Sequence, residues 1–562
     1  PSDPRLSPLL AKSFLWFFHR WAPAYILPVD YTHGSPDKDG STNTIAKAWT
    51  STDRVNDAVS FVITLCVHYH CYWPQERQVQ EKASILLHDM AKRCQSMRLA
   101  MMNTPAFRDL ISYHCLTSGI RHSASPAEFE SIILSKVGNE YCNVEMLRGY
   151  QRLPYDIKSK ILTGILVGCS EHGDATSKKY FEECLGAVRE PFSALVNALS
   201  SKEMPPTNVD AKEMASLCVE LYGGVARAGE MVASERISKF LTPSFPHLSG
   251  LMAFYADDLS ICESLLRLFR DYAEQFIAVL DPASCVALFQ ASGELLRSYS
   301  AVHCLATRVI VHSAEEEQSY NDILCAIQLL IQLGTKDFIQ LGGDDPTGMN
   351  SSQVTDMIFF GLQQILPLMT RGLLQFPTLC TQYFSLVGFM METYPDKVRI
   401  LPYELFDALL DSLLFGMSYH DTSVAKCSLQ GLAGIMKEHL QHRVLDVQLT
   451  KNPELLDKCS YRLLIEVVFQ NCIWDRIEAA GMALLPLAAS DLNVFAGVVQ
   501  RICQQIPAEH QARLSRAFEL LLQPEVLAKI LAKGYEGRQT RIKFKEDFEN
   551  FCHEVHSFLV LK

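Results

Sequence analysis

Apolar residues recur three and four positions apart along most of the chain, a spacing that predicts helix after helix. In VTDMIFFGLQQILPLMT (Val354 to Thr370), Asp356 favours the helix start. A second helix begins after Pro377, and PYELFDALLDSLLFGMS (Pro402 to Ser418) sets Leu405, Leu409, Leu413 and Leu414 on one side. SLQGLAGIMKEHLQ (Ser428 to Gln441) makes a fourth. Breaks as short as TRGLLQFP and TYPDKVRILP separate them, so consecutive helices are expected to lie antiparallel. Starts at Val354 and Pro402, and at Thr378 and Thr422, recur at about 45 residues, the spacing of a two-helix HEAT-type repeat. Further helices are predicted at Arg54 to Trp73, Leu259 to Asp281, Pro282 to Cys304 and Glu315 to Gly334. No stretch alternates as a large sheet requires. The expected fold is all-α, a HEAT-repeat superhelical solenoid of antiparallel helix pairs.

One segment departs from the general polarity: Gly372 to Met391 carries no charge in a chain that is 20% charged. Its length alone meets the criterion for crossing a bilayer. Its periodicity does not, because Thr378, Thr381, Gln382 and Ser385 form one narrow polar stripe, continued by Glu392, while Leu379, Tyr383, Phe384, Leu386, Val387 and Met390 fill the rest of the circumference. A lipid-facing helix has little use for such a stripe. A helix buried on both flanks by neighbours is predicted, and no membrane insertion.

Loops are predicted at Asp30 to Asn43, Glu203 to Asn208, Thr242 to Gly250 and Leu341 to Gln353. None is long enough to link independent domains, so the repeats form one array. A soft boundary falls at Pro205 and Pro206, giving residues 1–206 and 207–562 as two stretches of the same solenoid.

The totals sharpen this picture. With 562 residues, 48% of them apolar, a large core is available, and the size favours an array of repeats over one compact core. A formal net charge of -12 opposes direct nucleic-acid binding and favours basic protein partners. The 18 cysteines sit mostly in apolar helical context without a paired framework, as reduced core thiols of an intracellular protein do. The first residues, PSDPRLSPLL, do not form a signal peptide, and the missing initiator Met predicts a piece of a longer chain.

Catalytic and metal chemistry are weakly represented. CVHYHC (Cys66 to Cys71) places four potential ligands within six positions, but on a helix His68 points away from Cys66 and His70. GGDDPTG (Gly342 to Gly348) lacks the GK[ST] ending of a phosphate loop, and DKDG (Asp37 to Gly40) lacks the later glycine and acid of a calcium loop. No nucleophile elbow, HExxH helix or kinase signature occurs, so no enzyme, cofactor or metal is expected. The remaining candidates are acidic and partner-facing: Glu315, Glu316 and Glu317, Asp344 and Asp345, and Asp257 and Asp258. Each also suits a solvated helix start or turn.

FFHRWAPAYIL (Phe17 to Leu27), EEEQSYNDILCAIQLLIQL (Glu315 to Leu333), FPTLCTQYFSLVGFMMETYPDK (Phe376 to Lys397), LPYELFDALLDSLLFGMS (Leu401 to Ser418) and FKEDFENFCHEVHSFLVLK (Phe544 to Lys562) together resemble the C-terminal part of exportins of the importin-β superfamily. The resemblance implies a receptor that binds protein cargo with the GTP form of the GTPase Ran, contacts nuclear pore proteins and shuttles between nucleus and cytoplasm. Cargo classes associated with the branch it resembles are the hypusine-bearing translation factor and Smad-type regulators for export, and Sox-type regulators for import. The family carries its principal Ran surface in N-terminal repeats, so this chain is expected to hold cargo surface and secondary Ran contacts. The competing expectation is a HEAT scaffold organising a cytoplasmic complex.

Overall fold

Amphipathic spacing is realised as helices throughout the computed structural model, which describes residues 7–22, 52–93, 95–137, 143–170, 175–201, 205–230, 234–303, 320–340, 351–470, 473–521 and 538–559. Among these residues there is no strand. The contacts divide the chain into two units, Pro1–Arg308 with Ser319–Gly361, and Val309–Gln318 with Leu362–Lys562.

The first unit opens with α1 (Pro8–Trp21), α2 (Thr52–Tyr72), α3 (Arg77–Arg93), α4 (Gln95–Asn103) and α5 (Pro105–Thr117). It continues with α6 (Pro126–Val137), α7 (Val144–Gln151), α8 (Tyr155–Gly168), α9 (Ala175–Ser200) and α10 (Val209–Arg227). Then follow α11 (Ser234–Leu241), α12 (Phe245–Tyr255), α13 (Leu259–Phe276), α14 (Pro282–His303) and α15 (Asn321–Gln340), while α16 (Ser351–Ile365) contains the boundary. Within this unit α3, α8, α10, α13 and α15 pack each on the next as one layer. Their partners form a second layer, with α2 against α3, α9 against α10 and α12 against α13 and α14. This is the two-layer arrangement of HEAT repeats: a helix pair leaves one face bare, and the next pair covers it. Ile161, Leu217, Leu221, Leu265, Leu268, Phe269, Ile327 and Leu330 fill the shared layer and are buried. Each such side chain stabilises the stack by about 1.5–3 kcal/mol relative to an exposed position.

In the second unit come α17 (Pro377–Thr393), α18 (Tyr403–Gly416), α19 (Thr422–His442), α20 (Asp446–Lys451) and α21 (Leu455–Arg462). After a π-helical stretch at Leu463–Gln470 follow α22 (Trp474–Ser490), α23 (Leu492–Gln505), α24 (Ala508–Leu521) and α25 (Arg538–His556). Here α17, α19, α22 and α25 form the continuous layer, and α18 lies against α17 and α19. Capping residues fix the starts: Asp421 accepts hydrogen bonds from Ser423 N and Val424 N, and Asp491 from Asn493 N and Val494 N. Each cap contributes about 1 kcal/mol.

The uncharged stretch is α17, with Pro377 in its first turn as expected. Thr378 and Ser385 are exposed and Leu379, Tyr383, Phe384, Leu386, Val387 and Met390 are buried, so the polar stripe is the helix's open face. No single described helix is long and apolar enough to cross a membrane. On its inner side α17 meets α19 backbone to backbone: a Cβ on Gly434 would stand 2.6 Å from Glu392 Cα, and one on Gly388 would collide with the Cys427 carbonyl. Only glycine permits that approach.

Two expectations change. The loop at Thr242 to Gly250 is helical, a 3-10 turn at Thr242–Ser244 leading into α12. Pro243 and Pro246 occupy first turns, where a missing N–H costs nothing, so prolines that suggested a break instead start helices. The helix expected over Val354 to Thr370 is α16, which ends at Ile365 because Pro367 forces a 3-10 turn at Leu366–Leu368.

Candidate partner-binding surface

Charged residues cross the layer formed by α8, α10, α13 and α15 of the first unit as a ladder. On α8, Ser159 Oγ donates to the Glu220 carbonyl of α10 and accepts from Arg227 Nη2 at 2.6 Å, while Thr163 Oγ1 donates to the Gly224 carbonyl at 2.9 Å. From α10, Glu220 accepts from Ser264 Oγ at 2.6 Å and from Arg267 of α13, and Arg227 Nη1 reaches Asp271 Oδ2 at 3.0 Å. From α13, Arg270 grips Asp271 Oδ1 and extends Nη1 to Gln328 Oε1 of α15 at 3.0 Å. Glu263 adds a parallel rung, accepting from Arg267 Nη1 and from Asn321 Nδ2 at 2.8 Å. Burial opposes the Arg270 charge, yet the Asp271 carboxylate outweighs it and holds the guanidinium above its ordinary pKa. Every buried carboxylate in the ladder has a cation and a second donor, the condition under which burying charge is tolerated.

At the edge of this layer the turn at Gly119–Ser125 is tied down by Glu213, which accepts from His122 N at 2.7 Å and from Tyr155 Oη at 2.6 Å. The His122 ring stacks on Tyr155 with centroids 4.0 Å apart, and burial together with Lys158 lowers its pKa to about 4. Lys158 is fully buried, donates to the Gln151 carbonyl at 2.7 Å, and is pushed down to about 7 by desolvation. The ring therefore acts as a neutral hydrogen-bonding group, and the buried amine holds its proton far less firmly than an ordinary lysine.

The expected acidic residues separate. Asp258 caps α13, accepting from Ser260 N and Ile261 N, and pairs with Lys212 Nζ at 2.5 Å. Asp257 beside it is exposed. Glu315, Glu316, Glu317, Asp344 and Asp345 lie outside the described residues. In the second unit an open hollow of about 570 Å³ lies between α17, α19 and α22. Glu392, Asp475 and Glu478 stand on its rim with Lys426 and Lys437, above an apolar floor that includes Met482. Sequence spacing did not single out this hollow, because its residues come from three helices.

In CVHYHC, Cys66, His70 and Cys71 are buried, and burial pushes both thiols up to about 12. Gln80 spends its amide on the Tyr69 and Trp73 carbonyls, so its oxygen faces His70 Nδ1 at 2.5 Å and accepts from it. Cys66, His70 and Cys71 are core packing, while His68 is exposed on the other side of the helix. Among the described residues no group of three His, Cys, Asp or Glu side chains is placed to hold a metal.

Stacked helix pairs, each covering the bare face of the last, define a HEAT-repeat protein. The family model for exportin-4 matches residues 140–561, three quarters of the chain. The chain belongs to the exportin-4 family, nuclear transport receptors of the importin-β kind that shuttle between nucleus and cytoplasm.

Proposed function

We propose that this chain is the cargo-holding part of a nuclear export receptor, binding protein cargo together with Ran-GTP and carrying it through the nuclear pore. The family match over residues 140–561 is the observation that carries the proposal. A laddered stack suits the task, because changes at several repeat interfaces sum and couple one ligand to another. The cargo proposed first is the hypusine-bearing translation factor, with Smad-type and Sox-type regulators as further classes. Hypusine is a long cation, and the hollow between α17, α19 and α22 offers carboxylates beside an apolar floor. Asp257, Glu315, Glu316, Glu317, Asp344 and Asp345 are proposed as outer contacts for basic cargo, with Asp258 positioned by Lys212.

The test is cargo binding with Ran in its GTP and GDP forms. Tighter cargo binding with Ran-GTP supports the export reading. Indifference to the nucleotide refutes it, and release by Ran-GTP assigns import. Glu392→Gln with Asp475→Asn should weaken a hypusine-bearing cargo more than its unmodified lysine form. Equal weakening of both removes the hollow from the proposal.

A further inference from the structure

Cys115 of α5 and Cys184 of α9 bring their Sγ atoms to 4.0 Å, across two helices that pack together. The two thiols are not equivalent. Cys184 is fully buried, whereas Cys115 is half-buried and lines two open hollows, of about 790 and 520 Å³. Lys136, on the wall of both hollows, presents its ammonium near Cys115 and is anchored by a 3.0 Å hydrogen bond to the Leu116 carbonyl. Glu183 is the opposing charge nearby.

The hydrogen bond from Cys184 lowers the Cys115 pKa, burial and Glu183 work against that, and Lys136 adds to the lowering. The same bond and its own burial raise Cys184 well above an ordinary thiol. Of the two, Cys115 is therefore the thiol that ionises more readily, and it is the one on the accessible side. The other half-buried described cysteine, Cys427, has no thiol partner among the described residues and is raised by desolvation.

We propose that Cys115 and Cys184 form a two-cysteine oxidation site whose substrate is a small hydroperoxide. The Cys115 thiolate attacks the near oxygen of hydrogen peroxide; an S–O bond forms, the O–O bond breaks and hydroxide leaves. The Cys184 sulfur then attacks the Cys115 sulfenic acid, forming the S–S bond and expelling the hydroxyl group. The Cys184 proton leaves with that hydroxyl as water. The hydroxide released in the first step takes up the proton that Cys115 gave up on ionising, so the two sulfurs lose two electrons, one peroxide gains them, and two waters result. Closing 4.0 Å to a bond of about 2 Å requires rotation about the side chains, and the product staples α5 to α9.

The sequence supplies a clean readout, since trypsin releases DLISYHCLTSGIR (109–121) and YFEECLGAVR (180–189), each with one cysteine. The 562-residue chain is treated with hydrogen peroxide, free thiols are alkylated, and peptides are mapped without reduction. The expected result is a linked pair of these peptides, with Cys115 oxidised on the order of tenfold faster than Cys427. In Cys184→Ser, with a melting curve matching the parent, Cys115 should accumulate as sulfenic acid trapped by a cyclic 1,3-diketone. Oxidation of Cys115 no faster than Cys427, or a trapped sulfenic acid in the unaltered chain without the linked peptides, overturns the proposal. The unaltered chain alone decides the question if the variant does not fold.

Discussion

Replacing Gly434 by alanine tests whether the α17–α19 seam is held by backbone contact. Inside a helix alanine is intrinsically favoured over glycine by about 1 kcal/mol, so propensity alone predicts stabilisation. The structure predicts the opposite. The added Cβ would stand 2.6 Å from Glu392 Cα and 2.7 Å from Met391 O, and both are backbone atoms that no rotamer change can move aside. The helices must part by nearly an ångström, which places the overpacking cost near the top of its usual range, about 3 kcal/mol, and leaves a net loss of about 2 kcal/mol. For a unit of this size that lowers the melting midpoint by about 4–8 °C. Gly497→Ala is the matched control: it lies on α23 with nothing within 4 Å of the added atom, and should gain up to about 1 kcal/mol. Calorimetry and circular dichroism at 222 nm read both. If Gly434→Ala melts at or above the parent, the seam is not a backbone contact.

Leu386→Asp removes a side chain that is 2% exposed, costing about 1.5–3 kcal/mol of burial before the carboxylate's desolvation is added, and should abolish the cooperative melt of the second unit. Asp271→Asn deprives Arg227 and Arg270 of their shared partner and should cost about 3–5 kcal/mol in urea unfolding; a loss under about 1 kcal/mol would mean the ladder is solvated. His70 and His114 are buried, and desolvation lowers them to about 4 and about 3, so the folded chain keeps them neutral while the unfolded chain protonates them near 6.5. Their contribution is complete above pH 6.5 and is lost as pH falls from there toward 4 and below. A urea midpoint that stays flat between pH 6.5 and 4.5 would contradict that assignment.

Local pattern made the helices legible; what joins them was not legible. Asp258 and Pro377 mark starts that the structure keeps, and the polar stripe of α17 identified its open face before its neighbours were known. α19 begins at Thr422, where the repeat spacing placed it, because Asp421 caps it. The ladder left only a faint trace, a single acid within each of the runs LCVELYGG and LFRDYA. Neither run says which arginine will answer it, since Glu220 and Arg267 meet only when α10 and α13 stack. The glycines of SLVGFMM and LQGLAGIM likewise read as weak helix positions until two backbones need the space.

Shared rungs also constrain how such a chain can change through descent. Asp271 answers arginines on α10 and α13, and Arg270 passes the connection on to α15. Excising or duplicating the helix pair that carries α13 would strand Glu220 and Arg227 on one side and Gln328 on the other, leaving unmatched polar groups at both cut faces. Repeats in this unit are therefore not interchangeable beads. Length variation is easier in the loops, and a substitution at one rung calls for a compensating one a helix away.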